Sequence, residues 1–380
     1  MAGLEEICKI FLVASMQKMK IALVCTSLGH TWRGFERFTS DLFTLVERDL
    51  PITLFGTGLN GAPNRVSLPC LKYDAHLKFL KGKSKDNYYF HQLSYAFSFI
   101  PLAVLKGYDL IHYSEPSMGN FLYHARKMFK FRYKLLFTDG LGLDAEIGDS
   151  FERPDHIQIL TLPHYEKVKS AGVAPKKITC LPYGVDSKPY LVQRDKKILR
   201  RKYGIPEEKV VILSVSALNR RHKRIDYLIH EASQLGKDYF LLIAGQQEER
   251  DLITLGERAL GGRFRSLYLP PEQLPEVYGL ADIFVMASLA EGFCLALVEA
   301  MCAGLPGIAH ESDHFRWLTG DSPCLIDMTI PGNLAKKILE IRENNETFKQ
   351  VAAHNRDRAV ERFDWDNLKS RYLDMYERAL

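Results

Sequence analysis

Short runs of aliphatic and β-branched residues recur along the chain, and between them apolar positions return every three or four residues. The short runs predict buried strands and the longer periodic stretches predict helices. In the first half the strand signals are KIALVCT (20–26), PITLFG (51–56), DLIHYS (109–114), KLLFTD (134–139), IQILTL (157–162) and KITCLP (177–182). In the second half they are KVVILSVS (209–216), DYFLLIAG (238–245), FRSLYLP (264–270), DIFVMAS (282–288) and LPGIAH (305–310). Helical segments fall between most of them, the mark of parallel sheets covered on both faces.

A polar, proline-containing stretch at 186–208, around SKPYLVQRDKK, separates the two sets and predicts an interdomain link. The expected organisation is an extension (1–18), a first domain (19–185), the link, a second domain (209–360) and a C-terminal helix (361–380). The predicted fold class is α/β, with two doubly wound, Rossmann-like domains facing across a cleft. Ligands of such sheets bind beyond the carboxyl ends of the strands.

The length of 380 residues suits two domains, and 46% hydrophobic with 26% charged residues describes a globular chain, far from disorder. The seven cysteines (Cys8, Cys25, Cys70, Cys180, Cys294, Cys302, Cys324) have no metal-ligand spacing and lie mostly in apolar runs, which predicts reduced thiols in the cytoplasm. The apolar run in LEEICKIFLVASMQK is too short to span a bilayer. It reads as an extension before MKIALV, with a signal-like anchor as the alternative.

A net charge of +5 is too mild to imply nucleic acid. The charge is clustered, however: Lys78, Lys81, Lys83 and Lys85 in KFLKGKSK, and Arg126, Lys127, Lys130, Arg132 and Lys134 in HARKMFKFRYK (124–134), with aromatics between them. Such a patch is either a solvated face or a surface for anionic lipid or a phosphorylated acceptor.

The most informative chemistry lies in the second half. Between Phe293 and Ala309 the sole charged side chain is Glu299. An isolated carboxylate in an apolar segment finds a partner, shifts its pKa or serves a site. DIFVMAS predicts a strand, LAEG a turn, and CLALVEAMCA a helix closed by Gly304 and Pro306. The free amides at the start of that helix, near Phe293 to Ala296, can hold an anion such as a diphosphate. Glu291 in the turn and Glu299 one turn into the helix can accept hydrogen bonds from flanking hydroxyls; a structural ion pair is the alternative for Glu299. After VVILSVS, the segment ALNRRHKRIDYLI gathers Arg220, Arg221, Lys223 and Arg224 at a strand end. Clustered cations repel unless solvated or facing an anion such as phosphate. In SLGHTWRGFERF (27–38), Gly29 and Gly34 permit close backbone approach without forming a dinucleotide fingerprint.

Together, ADIFVMASLAEGFCLALVEAMCAGLPGIAH, SVSALNRRHKRIDYLI, LLIAGQQEERDLI, LPYGVD and FDWDNLKSRYLDMYERAL resemble glycosyltransferase family 4, the retaining transferases of GT-B fold with an E-x7-E block at the donor site. The resemblance implies a nucleotide-sugar donor bound mainly by the second domain and an acceptor, a glycan, a lipid-linked or a small molecule, bound mainly by the first. It implies that Glu299 holds the ribose, that Glu291 contacts the donor sugar, and that Phe293, Cys294 and Leu295 offer amides to sugar or diphosphate. Lys223 matches the lysine that neutralises the leaving diphosphate, with Arg220 or Arg221 in support. Gly34 matches the glycine loop that approaches the phosphates. The C-terminal helix is expected to cross back to the first domain. The implied reaction needs neither a cofactor nor a metal.

Where the family commonly has a glycine and an arginine before the lysine, Ser216 and Ala217 stand here, with Arg220 or Arg221 as candidate substitutes, and three further positions depart from the family's pattern. Cys294 stands for its usual glycine, Tyr183 for its usual asparagine, and Asp139 for the histidine that follows the corresponding strand. An ionised aspartate cannot donate a hydrogen bond, so its catalytic contact must differ. Two rival readings are a non-catalytic binder of sugar nucleotides and a nucleotide-sugar hydrolase or epimerase. DWD (364–366) reads as a helix cap rather than a metal motif, and GLGLDA (140–145) fits a dinucleotide motif by letter alone. The expected location is the cytoplasm, with contact at the cytoplasmic face of a membrane.

Overall fold

The computed structural model describes residues 19–30, 33–71, 87–144 and 146–380. The extension 1–18, the lysines of KFLKGKSK, and Thr31 and Trp32 of the glycine loop lie outside the described residues. The chain divides into two compact units: one holds residues up to Pro182 together with Lys369–Leu380, and the other holds Tyr183–Leu368.

The first unit is built on a seven-stranded sheet with β1 (Ile21–Val24), β2 (Ile52–Gly56), β3 (Arg65–Ser67), β4 (Leu110–Tyr113), β5 (Lys134–Asp139), β6 (His156–Ile159) and β7 (Ile178–Cys180). The order is β3-β2-β1-β4-β5-β6-β7 and every pairing is parallel. In the second unit β8 (Val210–Val215), β9 (Tyr239–Ala244), β10 (Phe264–Leu267), β11 (Ile283–Val285), β12 (Gly307–His310) and β13 (Leu325–Ile326) follow the order β10-β9-β8-β11-β12-β13, again all parallel. Each order reverses once, between β1 and β4 in one sheet and between β8 and β11 in the other. The architecture is thus two doubly wound Rossmann-like domains, one following the other along the chain.

The reason for this fold is visible in the strands. IALV, LIHY and YFLLIA are buried at every position. Such strands must be covered on both faces, which the crossover helices of a parallel sheet supply. The eleven strand signals in the sequence all fall on strands, whereas β3 and β13 carried none. These two are edge strands of two or three residues and have no apolar run to betray them.

The stretch 186–208, expected as an interdomain link, falls within the second unit. Helices Lys188–Leu191 and Lys196–Tyr203 form there, the latter capped by the Asp195 side chain. Arg200 is buried, and its guanidinium donates to Asp282 Oδ2 (2.6 Å), which also accepts from the Val211 amide (2.8 Å). The polar residues that suggested a linker are ion-pair partners of the β8–β11 frame.

The helix Trp365–Ala379 begins in the second unit and ends in the first. The Asp364 carboxylate accepts from the Asp366 amide (2.8 Å) at its start, so DWD is a helix cap. At the far end Tyr372 donates to the Pro182 carbonyl (2.7 Å), and the Tyr376 hydroxyl lies 2.9 Å from His112 Nδ1. GLGLDA forms a single 3-10 turn at Gly142–Asp144 rather than a dinucleotide-binding helix start; Ala145 lies outside the described residues.

Candidate functional site

The turn after β8 and the turn after β11 meet at the switch point of the second sheet, the place where ligands of doubly wound folds bind. The first turn is organised by Asn219, whose Oδ1 accepts from the amides of His222 (3.1 Å) and Lys223 (2.9 Å). This side-chain turn aims Lys223 at the second loop, where its Nζ donates to Glu291 Oε1 at 2.5 Å. Ser288 donates to the same oxygen at 2.5 Å, and His222 donates toward the Ala290 carbonyl (3.1 Å). The Glu291 side chain is 8% exposed and that of Lys223 is 19% exposed. Burial opposes the charge on Glu291, but the Lys223 ammonium, His222 and the hydrogen bonds from Lys223 and Ser288 outweigh it and hold the carboxyl below its usual range.

After Glu291 the chain enters the helix Leu295–Cys302 through Cys294, which adopts φ +78°, the left-handed region. That conformation suits the glycine which the family resemblance leads one to expect there. A non-glycine residue there carries strain of about 1 kcal/mol, and the thiol is buried, with burial pushing its pKa well up. Phe293 anchors the turn by packing edge-on against Tyr183 (5.5 Å) and Phe363 (5.6 Å). Among the described residues no acceptor meets the amides of Phe293, Cys294, Leu295 or Ala296. Four amide donors without a described acceptor therefore lie at or just before a helix N-terminus, in the segment that follows the Glu291 partner of the Lys223 ammonium, a setting suited to an anion. His314 sits beside Glu291 and the backbone of Phe293; burial keeps its ring neutral, with the pKa pushed down to about 4.

Glu299 is buried, and its Oε2 accepts from the Tyr278 hydroxyl at 2.8 Å. Tyr278, on the helix Leu274–Leu280, is thus one of its partners. Arg220, expected to grip phosphate, instead donates to Glu249 Oε2 and Asp251 Oδ2, each at 2.5 Å. Arg221 is exposed. Arg224 is structural: its guanidinium donates to the carbonyls of Ala287 (3.2 Å) and Met328 (3.1 Å) and lies over the Tyr227 ring. Of the four cations in the turn, Lys223 is the one joined to Glu291.

In the first unit, Asp139 ends β5 and is fully buried. Its Oδ1 accepts from the Leu141 amide (3.0 Å), and His164 Nδ1 stands 3.1 Å from Oδ2. Burial raises its carboxyl to about 7, against the pull of the Leu141 amide and Lys167. Both contacts lie within the first unit, where a histidine is the side-chain neighbour of Asp139. Gly34 begins the helix Gly34–Val46 and is exposed, while Gly29 has φ +95° and packs its backbone against Gly58. At the first sheet's own switch point, Glu115 accepts from the Thr26 amide (2.9 Å), Thr26 hydroxyl (2.6 Å) and Tyr88 hydroxyl (3.1 Å) through one oxygen; burial pushes its pKa up to about 7.

The second unit's sequence carries the decisive likeness. Residues 195–358 match the family model of glycosyl transferases group 1. Relatives of known activity are glycosyltransferases too. The chain is 23% identical over 337 residues to N-acetyl-alpha-D-glucosaminyl L-malate synthase of Bacillus anthracis, spanning 79% of this chain and 86% of that protein. It is 22% identical over 237 residues to alpha-galactosylglucosyldiacylglycerol synthase of Streptococcus pneumoniae, spanning 60% of this chain and 62% of that one. Among solved structures, sucrose-phosphate synthase from Thermosynechococcus elongatus superposes with a TM-score of 0.80 at 18% identity, over 95% of this chain and 98% of that one. Anabaena HepE, solved with UDP and glucose, superposes with a TM-score of 0.75 at 18% identity, over 94% and 99%. The matched family segment contains Lys223, Glu291, Glu299 and the four open amides, so the glycosyltransferase likeness and the candidate site coincide.

Proposed function

We propose that the chain is a retaining glycosyltransferase that moves a hexose-type sugar from a nucleotide-diphosphate sugar to an acceptor and needs no metal. The observation that carries this reading is the Lys223–Glu291 pair set against the open amides of Phe293 to Ala296. In such a transfer the bond between the anomeric carbon and phosphate breaks and negative charge grows on the leaving diphosphate. Donors fixed in place before the reaction stabilise that charge without reorganising. Lys223 and the amides are those donors. Arrival of the diphosphate competes for Lys223, freeing Glu291 to accept from a sugar hydroxyl. Glu299, held by Tyr278, orients toward the ribose. Asp139, locked to His164, acts as a positioning group for its loop in the first unit. The six described cysteines are unbridged, in keeping with a reducing cytoplasmic setting.

The test is thermal stabilisation by uridine-, guanosine- and adenosine-diphosphate sugars. A donor at a hundred times its Kd adds about 2.7 kcal/mol, a rise of roughly 5–10 °C for a unit of this size. One nucleotide class should give that rise, and no rise with any class at millimolar concentration would overturn the reading.

A further inference from the structure

The helices Asn87–Lys106 and Pro116–Phe129 of the first unit share an apolar surface whose outer side chains are exposed among the described residues. Phe97, Ile100, Pro101, Val104 and Leu105 recur at helical spacing on one helix, and Phe121, Met128 and Phe129 answer them on the other. Between the two helices lies a cavity of about 670 Å³, lined by Phe97, Ile100, Pro101, Phe121, Met128 and Phe129 among others. Its rim is unusual for a folded surface: Phe97 is 74% exposed, Leu105 84%, Met128 69% and Phe129 59%. Exposed apolar groups in one patch mark an interaction site.

Charge identifies the occupant. Neither 87–108 nor 116–138 contains a single aspartate or glutamate, although the chain has 46 acids. Arg126 is paired with Asp155, and Lys134 reaches the Leu380 carbonyl. Lys106, Lys127, Lys130 and Arg132 are exposed around the apolar rim. Two copies meeting through this face would bring like charges together, whereas a bilayer with anionic headgroups satisfies both the apolar centre and the cationic edge. No helix among the described residues is long and apolar enough to cross a membrane. We propose that this face docks peripherally on an anionic lipid surface, Phe97, Leu105, Met128 and Phe129 entering the headgroup boundary and Lys127, Lys130 and Arg132 pairing with lipid phosphates. The proposal stands apart from the donor reading, since none of these residues belongs to the second unit.

Flotation of the full chain with phosphatidylcholine vesicles, with and without 30% (roughly physiological) phosphatidylglycerol, tests it. Binding should require the anionic lipid and weaken with salt. Each basic residue contributes about fivefold in affinity, so Lys127→Gln/Lys130→Gln/Arg132→Gln together should weaken binding on the order of a hundredfold with an unchanged melting temperature. Phe97→Ser/Phe129→Ser should weaken binding while leaving its salt dependence intact. In the unaltered chain, vesicles should slow hydrogen exchange across 97–106 and 121–131. Equal binding to neutral vesicles, or unchanged binding by both variants, overturns the proposal. So does a vesicle-free dimer in sedimentation velocity that Phe97→Ser abolishes.

Discussion

Replacing Lys223 by alanine separates the site's two electrostatic functions. In the protein as it stands, Lys223 and Glu291 meet at 2.5 Å with the carboxylate largely buried. Breaking a buried pair by removing one partner typically costs about 3–5 kcal/mol; the partial exposure of Lys223 places the expected loss near the lower end. Its pH dependence has a definite sign. Glu291 is held below its ordinary pKa by Lys223, so it contributes stability above the usual carboxylate range and loses it as pH falls through the folded value. Without Lys223, burial is the dominant influence and the carboxyl shifts upward, so the variant weakens as pH rises toward neutrality. The stability gap between native protein and Lys223→Ala should therefore widen from about pH 4 to 7 in denaturant titrations. Turnover should fall for another reason, loss of charge stabilisation on the leaving diphosphate, by about 100- to 1000-fold. Glu291→Gln added to Lys223→Ala should recover stability and not the release of nucleoside diphosphate from donor. Donor turnover within a few-fold of the native rate in Lys223→Ala would refute the reasoning.

Other perturbations report on separate parts of the account. Arg220 is held by two carboxylates, so Arg220→Gln should leave nucleoside-diphosphate affinity within about twofold by calorimetry; a tenfold loss would return it to the phosphate site. Glu299→Gln should weaken nucleoside-diphosphate binding and Tyr278→Phe should do so to a smaller extent; unchanged affinity in both would remove the ribose assignment. Asp139 has a folded pKa near 7, above its ordinary value, so its protonated form is the one the fold favours and its contribution is lost as pH rises through about 7. Asp139→Asn should thus gain on the order of 2 kcal/mol relative to the native chain between pH 5.5 and 8, and a gap that does not change with pH would show that the carboxyl is not buried as described.

The sequence disclosed the sheets because their central strands are continuous apolar runs, a signal that depends on neighbours in the chain. It missed Arg65–Ser67 and Leu325–Ile326, whose strand character comes from pairing with an edge rather than from composition. The same distinction governs the site. Lys223, Glu291 and Glu299 stood out by position and by resemblance, but their partners did not: Ser288, Tyr278 and His314 acquire meaning through contacts that only the fold creates. Asn219 was the one organiser with a local sign, a side chain able to accept from amides a few residues on. The arginines misled for a related reason. RRHKR reads as four equivalent cations, whereas Arg220 is neutralised by Glu249 from the loop after β9 and by Asp251 at the start of the next helix, and Arg224 is spent on carbonyls. Polar residues at 186–208 likewise read as a linker because Arg200 and Asp282 are far apart in sequence.

Hydrogen exchange at the segment 292–297, followed while uridine, guanosine and adenosine diphosphates are each titrated in, puts the diphosphate site to its most direct trial. With no acceptor among the described residues, the amides of Phe293 to Ala296 should exchange readily in the free chain and slow at least tenfold when the matching nucleotide binds. A nucleotide that binds while this segment exchanges at its original rate, or the failure of all three to bind, would contradict the account.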